Sequence, residues 1–250
     1  MRLDINADAG ESFGRWELGH DAKLMDHVTS VNVAAGFHAG DPATMRVAAR
    51  AAHAHGIQLG VHPGLPDLVG FGRRSMALTP EEAADLCIYQ YGALSAIAAG
   101  EGARVEHVKP HGSLYGLIAK SAEHGVAVSR AIRTIDPDLI LVLMDGAGAD
   151  AAEASGARVI REAFVDLDYA DDGSLIIERV KTRRDPDDVA ERALRIANGT
   201  LRTLGGRELP TRARTICIHG DVDNAVEVAR AVRARLAASG IEVSPMRELI

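Results

Sequence analysis

The sequence predicts an α/β fold: a distorted (β/α) barrel of seven or eight parallel strands, built as one domain over residues 1–250. Three observations lead there. Short β-compatible runs alternate with helix-patterned stretches about eight times, and Leu139 to Met144 is an unbroken apolar run of the kind a strand buried on both faces requires. Polar residues also recur directly after the strands, where barrel proteins gather their chemistry.

In chain order, Leu3 to Ala7 reads as the first strand and Ala22 to His27 as a helix. Ser30 to Met45 sets a template of strand, turn and helix start. Val31, Val33 and Ala34 suit a strand, Gly36 and Gly40 a sharp turn, Asp41 an N-cap, and Pro42 the first helical position. The helix runs from Thr44 to His55, where Gly56 stops it. Ile57 to Val61 is a third strand ending at His62-Pro63, followed by the Gly/Pro-rich loop G-L-P-D-L-V-G-F-G-R-R, too long to be mere connection. Thr79-Pro80-Glu81-Glu82 is a capping box that opens a helix reaching about Gly100. Val105 to Lys109 is a fourth strand, leading into K-P-H-G-S-L-Y.

After the apolar fifth strand, D-G-A-G-A-D-A is a small-residue turn and only a weak dinucleotide fingerprint, because its last glycine is replaced by alanine. Val159 to Ala163 is the sixth strand. Asp172-Gly173 reads as a hairpin turn in an excursion over the rim that continues through Ile177-Glu178-Arg179. A helix is expected from Pro186 to Leu204, ended by Gly205-Gly206, then a strand from Thr215 to Ile218, a helix from Asn224 to Ala238, and a short last strand from Ile241 to Val243.

A hydrophobic content of 47% with 25% charged residues fits one large core, and 250 residues is ordinary for a barrel. The formal charge of −7, with basic residues scattered apart from Arg73-Arg74 and Arg183-Arg184, argues against nucleic acid as a partner. Cys87 and Cys217 form no metal or redox spacing. No apolar run approaches a membrane span, and M-R-L-D-I-N lacks a leader's apolar run, so a cytoplasmic location without membrane association is expected.

At the strand exits stand Asn6 and Asp8, Asn32 and His38, His62, Lys109 and His111, Glu162 and Asp166, and His219 and Asp221. So many ionisable groups at equivalent exits are costly to gather without a ligand, which makes this set the candidate site.

At these residues the sequence resembles the 5-oxoprolinase A-subunit family, the LamB/YcsF-type lactam-utilisation proteins. The resemblance covers nearly the whole chain through I-N-A-D-A-G-E-S-F-G, S-V-N-V-A-A-G-F-H-A-G-D, G-V-H-P-G-L-P-D-L-V-G-F-G-R-R, V-K-P-H-G-S-L-Y and I-C-I-H-G-D, in family order. It implies a glycoside-hydrolase/deacetylase-like barrel and an ATP-dependent opening of the lactam ring of 5-oxoproline to L-glutamate, carried out with subunits B and C. The chain has no G-x-x-x-x-G-K-[ST] loop, so phosphorylation by ATP is expected on the partners. Asp8 or His111 is the implied general base, with His62 and the other histidines positioning water or protonating the ring nitrogen. Asn6, Asn32, His38, Arg73, Arg74, Lys109, Glu162, His219 and Asp221 are the implied substrate-binding set, with Lys109, Arg73 and Arg74 holding anionic groups.

This chain departs from the family pattern at Ala9, at Ala35, at Leu167-Asp168 in place of an arginine-bearing turn, and at Asp223 in place of a proline. A lost arginine and a gained acid predict a less cationic mouth. Whether a metal is bound stays open, and so does self-association, with a homo-oligomer as the default. Two other readings remain: a metal-dependent amidase or deacetylase using Asp8, His38, His62, His111 and His219, and a non-catalytic lactam-binding subunit.

Overall fold

In β1 (Arg2–Ala9), Leu3, Ile5, Ala7 and Ala9 alternate with Asp4, Asn6 and Asp8, and every one of these seven side chains is buried. The apolar set packs outward into the core shared with the helices, while the polar set points into the barrel and bonds to side chains from other strands. A computed structural model describes residues 1–177 and 182–250.

The remaining strands of the main sheet are β2 (Ser30–Ala34), β3 (Gln58–His62), β4 (Val105–Val108), β5 (Ile140–Met144), β6 (Arg158–Phe164), β11 (Thr215–Ile218) and β12 (Glu242–Val243). Strands β1 to β6 pair in sequence, all parallel, and β11 joins β6 to β1, pairing Asp4 with Thr215 through Ala7 with Ile218. Seven strands therefore close the barrel. The eighth, β12, pairs only with Arg2 and Leu3, before β2 joins at Asn6. Beneath the barrel, Met246 and Leu249 of the C-terminal turn pack on Ile140, Val142 and Ile160, sealing the end opposite the strand exits.

Eight helices lie outside the sheet among the described residues: α1 (Asp21–Met25), α2 (Pro42–His55), α3 (Pro80–Gly100), α4 (Gly112–Lys120), α5 (Ala122–Ile135), α6 (Ala147–Ala154), α7 (Pro186–Ala197) and α8 (Ala225–Ala238). The capping signals act as the sequence implies. Asp41 accepts from the backbone N–H of Ala43 and Thr44, and Thr79 and Glu82 form the reciprocal capping box. The glycines of D-G-A-G-A-D-A serve packing: Gly148 and Gly125 meet so closely, with Gly148 also against the Ile118 carbonyl, that neither has room for a Cβ.

One expected helix is corrected. α7 ends at Ala197, not Leu204, because Gly199 takes a left-handed backbone (φ 85°) and Thr200–Arg202 forms β9, antiparallel to β10 (Glu208–Pro210). Gly205-Gly206 turns that hairpin. The Asp172-Gly173 excursion is a hairpin of β7 (Asp168–Tyr169) and β8 (Leu175–Ile176); Glu178-Arg179 lies outside the described residues. No helix of the described residues is long and apolar enough to cross a membrane.

Asp4 sits at the buried base of the polar ladder, accepting from Ser30 Oγ at 2.6 Å and Thr29 Oγ1 at 2.8 Å, and from Thr215 Oγ1. Burial pushes its carboxyl up to about 6 against the pull of these hydroxyls. A carboxyl whose pKa rises on folding binds its proton more tightly in the folded state, so stability is full below about 4 and falls as pH rises through about 6. Asp4→Asn is expected to remove that loss, gaining about 2–3 kcal/mol at pH 8 and little at pH 4. Urea midpoints at the two pH values check it, and an equal change at both would refute it.

Candidate active site

The polar ladder culminates at Lys109, which follows β4 and is 1% exposed. Its Nζ lies 3.0 Å from Asp8 Oδ1, 3.1 Å from Asn6 Oδ1, 3.1 Å from Glu162 Oε1 and 2.8 Å from Cys217 Sγ. Burial alone disfavours the ammonium, but Asp8, Cys217 and Glu162 together hold its pKa well above the ordinary lysine value. Burial likewise opposes ionisation of Asp8, yet its neighbours His62 and Lys109 keep that carboxyl well below its ordinary range. At neutral pH the pair is ionised.

A relay of hydrogen bonds fixes Asp8 from below. Gln58 Nε2 donates to His107 Nδ1 at 3.1 Å, leaving His107 Nε2–H to donate to Asn32 Oδ1 at 2.7 Å, and so the Asn32 amide N–H reaches Asp8 Oδ1 at 3.0 Å and Asn6 Oδ1 at 2.7 Å. Burial, followed by the charge of Lys109, lowers His107 to about 3, in keeping with a neutral ring. Glu162 receives the Tyr115 hydroxyl at 2.9 Å and the Asn6 amide at 2.9 Å.

Above this floor opens a cavity of about 560 Å³ at the strand exits. Asp8, His62, Lys109, His111, His219 and Arg73 line one part, and Met144, Phe164, Leu167 and Leu175 another. His219 follows β11 and presents an oriented imidazole: Asp166 takes its Nδ1–H at 2.9 Å and its backbone N–H at 2.8 Å, so Nε2 faces the cavity, 4.0 Å from Asp8 Oδ2. Phe164 stacks on that ring. His62 Nε2 stands 3.5 Å from Asp8 Oδ1 and 3.0 Å from His111 Nδ1. Burial lowers both His38 and His111 well below the ordinary histidine value, with His62 adding to the effect on each and His38 on His111, so both favour the neutral form.

Not every residue singled out from the sequence reaches the cavity. Asn6, Asn32 and Glu162 lie beneath it and act as scaffold for Asp8 and Lys109, not as its lining. His38 lies behind His111, ring on ring at 3.8 Å. Arg74 turns away from the cavity to Asp67, which it bonds through Nε at 2.9 Å, and braces the long loop. Arg73 remains in the lining, over the Phe71 ring and 3.3 Å from Asp221 Oδ2, while Asp221 itself stays outside. Because Lys109 spends its donors on protein partners, Arg73 and Lys120 are the cations of the lining best placed for an anionic group. Asp168 is paired with Arg184 Nη1 at 3.1 Å and Arg192 Nη1 at 2.8 Å, so it adds no uncompensated negative charge at the mouth. Leu167, 4% exposed, supplies an apolar wall.

The sequence reading missed Glu11, His107 and Cys217. The signals were present: Glu11 lies three residues after Asp8 in the same motif, and Cys217 is two before His219 on one strand face.

Fold and mouth together define a deacetylase-like, closed seven-stranded parallel β/α barrel whose C-terminal rim carries a buried, ionised polar site. A family 4 carbohydrate esterase from Streptomyces lividans shares the fold with a TM-score of 0.52 and 13% identity, over 97% of this chain and 91% of that one. Residues 3–250 match the LamB/YcsF family, and the chain belongs to it. It is 47% identical to a protein of Deinococcus radiodurans named as the A subunit of 5-oxoprolinase, across 99% of this chain and 98% of the relative. A crystal structure described as a lactam utilization protein from Thermus thermophilus superposes with a TM-score of 0.89 at 45% identity, covering 98% of this chain and all of that one.

Proposed function

We propose that this chain is the ring-opening subunit of an ATP-dependent 5-oxoprolinase, acting on 5-oxoproline with subunits B and C to give L-glutamate. The observation that carries the reading is the pairing of an ionised Asp8 with an Asp166-oriented His219 across one cavity, in a chain with full-length similarity to named 5-oxoprolinase subunits.

A five-membered lactam is an unstrained amide and a poor electrophile. Transfer of a phosphoryl group from ATP to its oxygen, at a site on the partners, gives the ring carbon a leaving group. Water then attacks that carbon while Asp8 takes its proton. Collapse breaks the C–N bond, the proton that Asp8 took from water passes by way of His219 Nε2 to the ring nitrogen, and a second water hydrolyses the resulting acyl phosphate to glutamate and phosphate. Lys109 keeps Asp8 ionised and in register, Arg73 holds the carboxylate or phosphate, and Leu167 and Phe164 face the ring methylenes. Trp16, Val69 and Met76 stand exposed on the loops after β1 and β3, which favours a protein partner over this mouth.

The test is reconstitution with subunits B and C, reading glutamate and ADP together. The isolated chain is expected to be inactive, and the complex to release one glutamate per ADP, with neutral lactams poorer than 5-oxoproline. Robust turnover by the chain alone, or a preference for neutral lactams, overturns the assignment. The same assay without ATP separates a second reading, metal-assisted hydrolysis of a cyclic amide, which the cluster of Glu11, His38, His62 and His111 favours.

A further inference from the structure

The hydrogen bonds of two histidines leave a charge missing between them. His62 Nδ1 lies 2.7 Å from the Lys109 carbonyl, and His111 Nε2 lies 2.8 Å from the Phe71 carbonyl. A carbonyl only accepts, so both of those nitrogens carry their protons. In neutral rings the other two, His62 Nε2 and His111 Nδ1, are then bare lone pairs, yet they face each other at 3.0 Å. Carboxylate oxygens surround the same point: Asp8 Oδ1 is 3.5 Å from His62 Nε2, and Glu11 Oε1 is 3.7 Å from His111 Nδ1 and 3.4 Å from His38 Nε2. Asp8 already has the Lys109 ammonium, but two facing lone pairs beside the Glu11 carboxylate in a buried space call for a proton or a cation between them.

His38 decides between a shared proton and a metal ion. A proton held between His62 and His111 would satisfy those two rings and do nothing for His38, which is 0% exposed with neither ring nitrogen hydrogen-bonded. A cation bound at the convergence point satisfies all three imidazoles at once, with Glu11 beside it as an anionic ligand. We propose that Glu11, His38, His62 and His111 form a binding site for a divalent transition metal of the zinc class.

Ligand type and spacing agree with that class. Three imidazole nitrogens and one carboxylate oxygen make a borderline donor set, and the four ligand atoms lie within 4.8 Å of one another. Separations of 3.0, 3.4 and 3.7 Å match the ligand–ligand edges around an ion with bonds of about 2.0–2.2 Å. The N–H bonds from His62 and His111 to backbone carbonyls are those that orient metal-bound imidazoles. Phe71, whose carbonyl holds His111, is the one non-glycine residue with positive φ (53°) among the described residues, and its ring meets His38 and His111 edge-on. Strain of that kind is kept where the surroundings demand a geometry.

The experiment is titration of the chelator-stripped, full-length chain with Co²⁺, followed by visible absorption and by NMR of the histidine rings, without lactam, ATP or partners. One equivalent is expected to bind, with d–d bands and large shifts of the His38, His62 and His111 ring protons, while circular dichroism stays unchanged. Glu11→Gln and His38→Gln should each weaken binding by about 10–100-fold or more. If either variant fails to fold, the wild-type ring shifts still locate the ion. A folded wild-type chain that binds no Co²⁺ or Zn²⁺ at millimolar concentration overturns the proposal, as does binding that leaves these three rings unshifted. Since no lactam chemistry enters the readout, failure here is distinct from failure of the 5-oxoprolinase reading.

Discussion

Asp8→Asn is expected to lower ring opening by the reconstituted complex by about 10³-fold, within the range that a positioned general base contributes. Asparagine keeps the shape and the acceptor oxygen that Asn32 and Lys109 address, so the loss isolates the proton-accepting carboxylate. Lys109 and the adjacent His62 overcome burial to hold Asp8 well below the ordinary carboxylate range, so it stays ionised across neutral pH. The loss should therefore be nearly the same at pH 6 and pH 8. Turnover measured at both values, with partner binding and melting temperature as controls, checks the expectation. Less than about a tenfold loss in a folded, assembled variant would move the base to another residue.

Lys109→Met should have the largest effect on stability, about 3–5 kcal/mol at pH 7, because it leaves the carboxylates of Asp8 and Glu162 buried without their common cation. The wild-type signs follow from the pair. Lys109, raised on folding, contributes fully below the ordinary lysine pKa and loses its contribution only as pH climbs through its elevated folded value. Asp8, depressed on folding, contributes above about 4 and loses its contribution as pH falls through its low folded value. Without the lysine the buried carboxylates bind protons more tightly, so the variant's deficit should shrink toward pH 4. Adding Glu162→Gln to Lys109→Met should recover part of the loss, since one fewer charge is stranded. Urea denaturation at pH 4 and 7 measures all three effects, and a deficit below about 1 kcal/mol at pH 7 would show that solvent, not Lys109, compensates the acids.

Local chemistry in the sequence determined a good deal of this protein. Asp41-Pro42 and Thr79-Pro80-Glu81-Glu82 each start a helix here, because a cap needs only the next three residues. Polar residues at strand exits likewise follow from a short run and the turn after it, which is why Asp8, His62, Lys109, His111 and His219 could be named before any contact was known.

Tertiary structure decided whatever depends on partners far away in the chain. Gly199 and the pairing of β9 with β10 end α7 early, although Thr200 to Leu204 reads as further helix on its own. Closure by β11 turns Asp4, Asn6 and Asp8 inward and brings Cys217, more than 200 residues away, beside the ladder they form. Neighbours Arg73 and Arg74 diverge, one to the cavity and one to Asp67, because side-chain direction follows the loop's path. Asp8 and Glu11 share a motif, yet the first meets Lys109 while the second meets His38 and His111. Which lone pairs face one another is set by the closed barrel, since strand order and register, not proximity in sequence, choose the neighbours of each side chain.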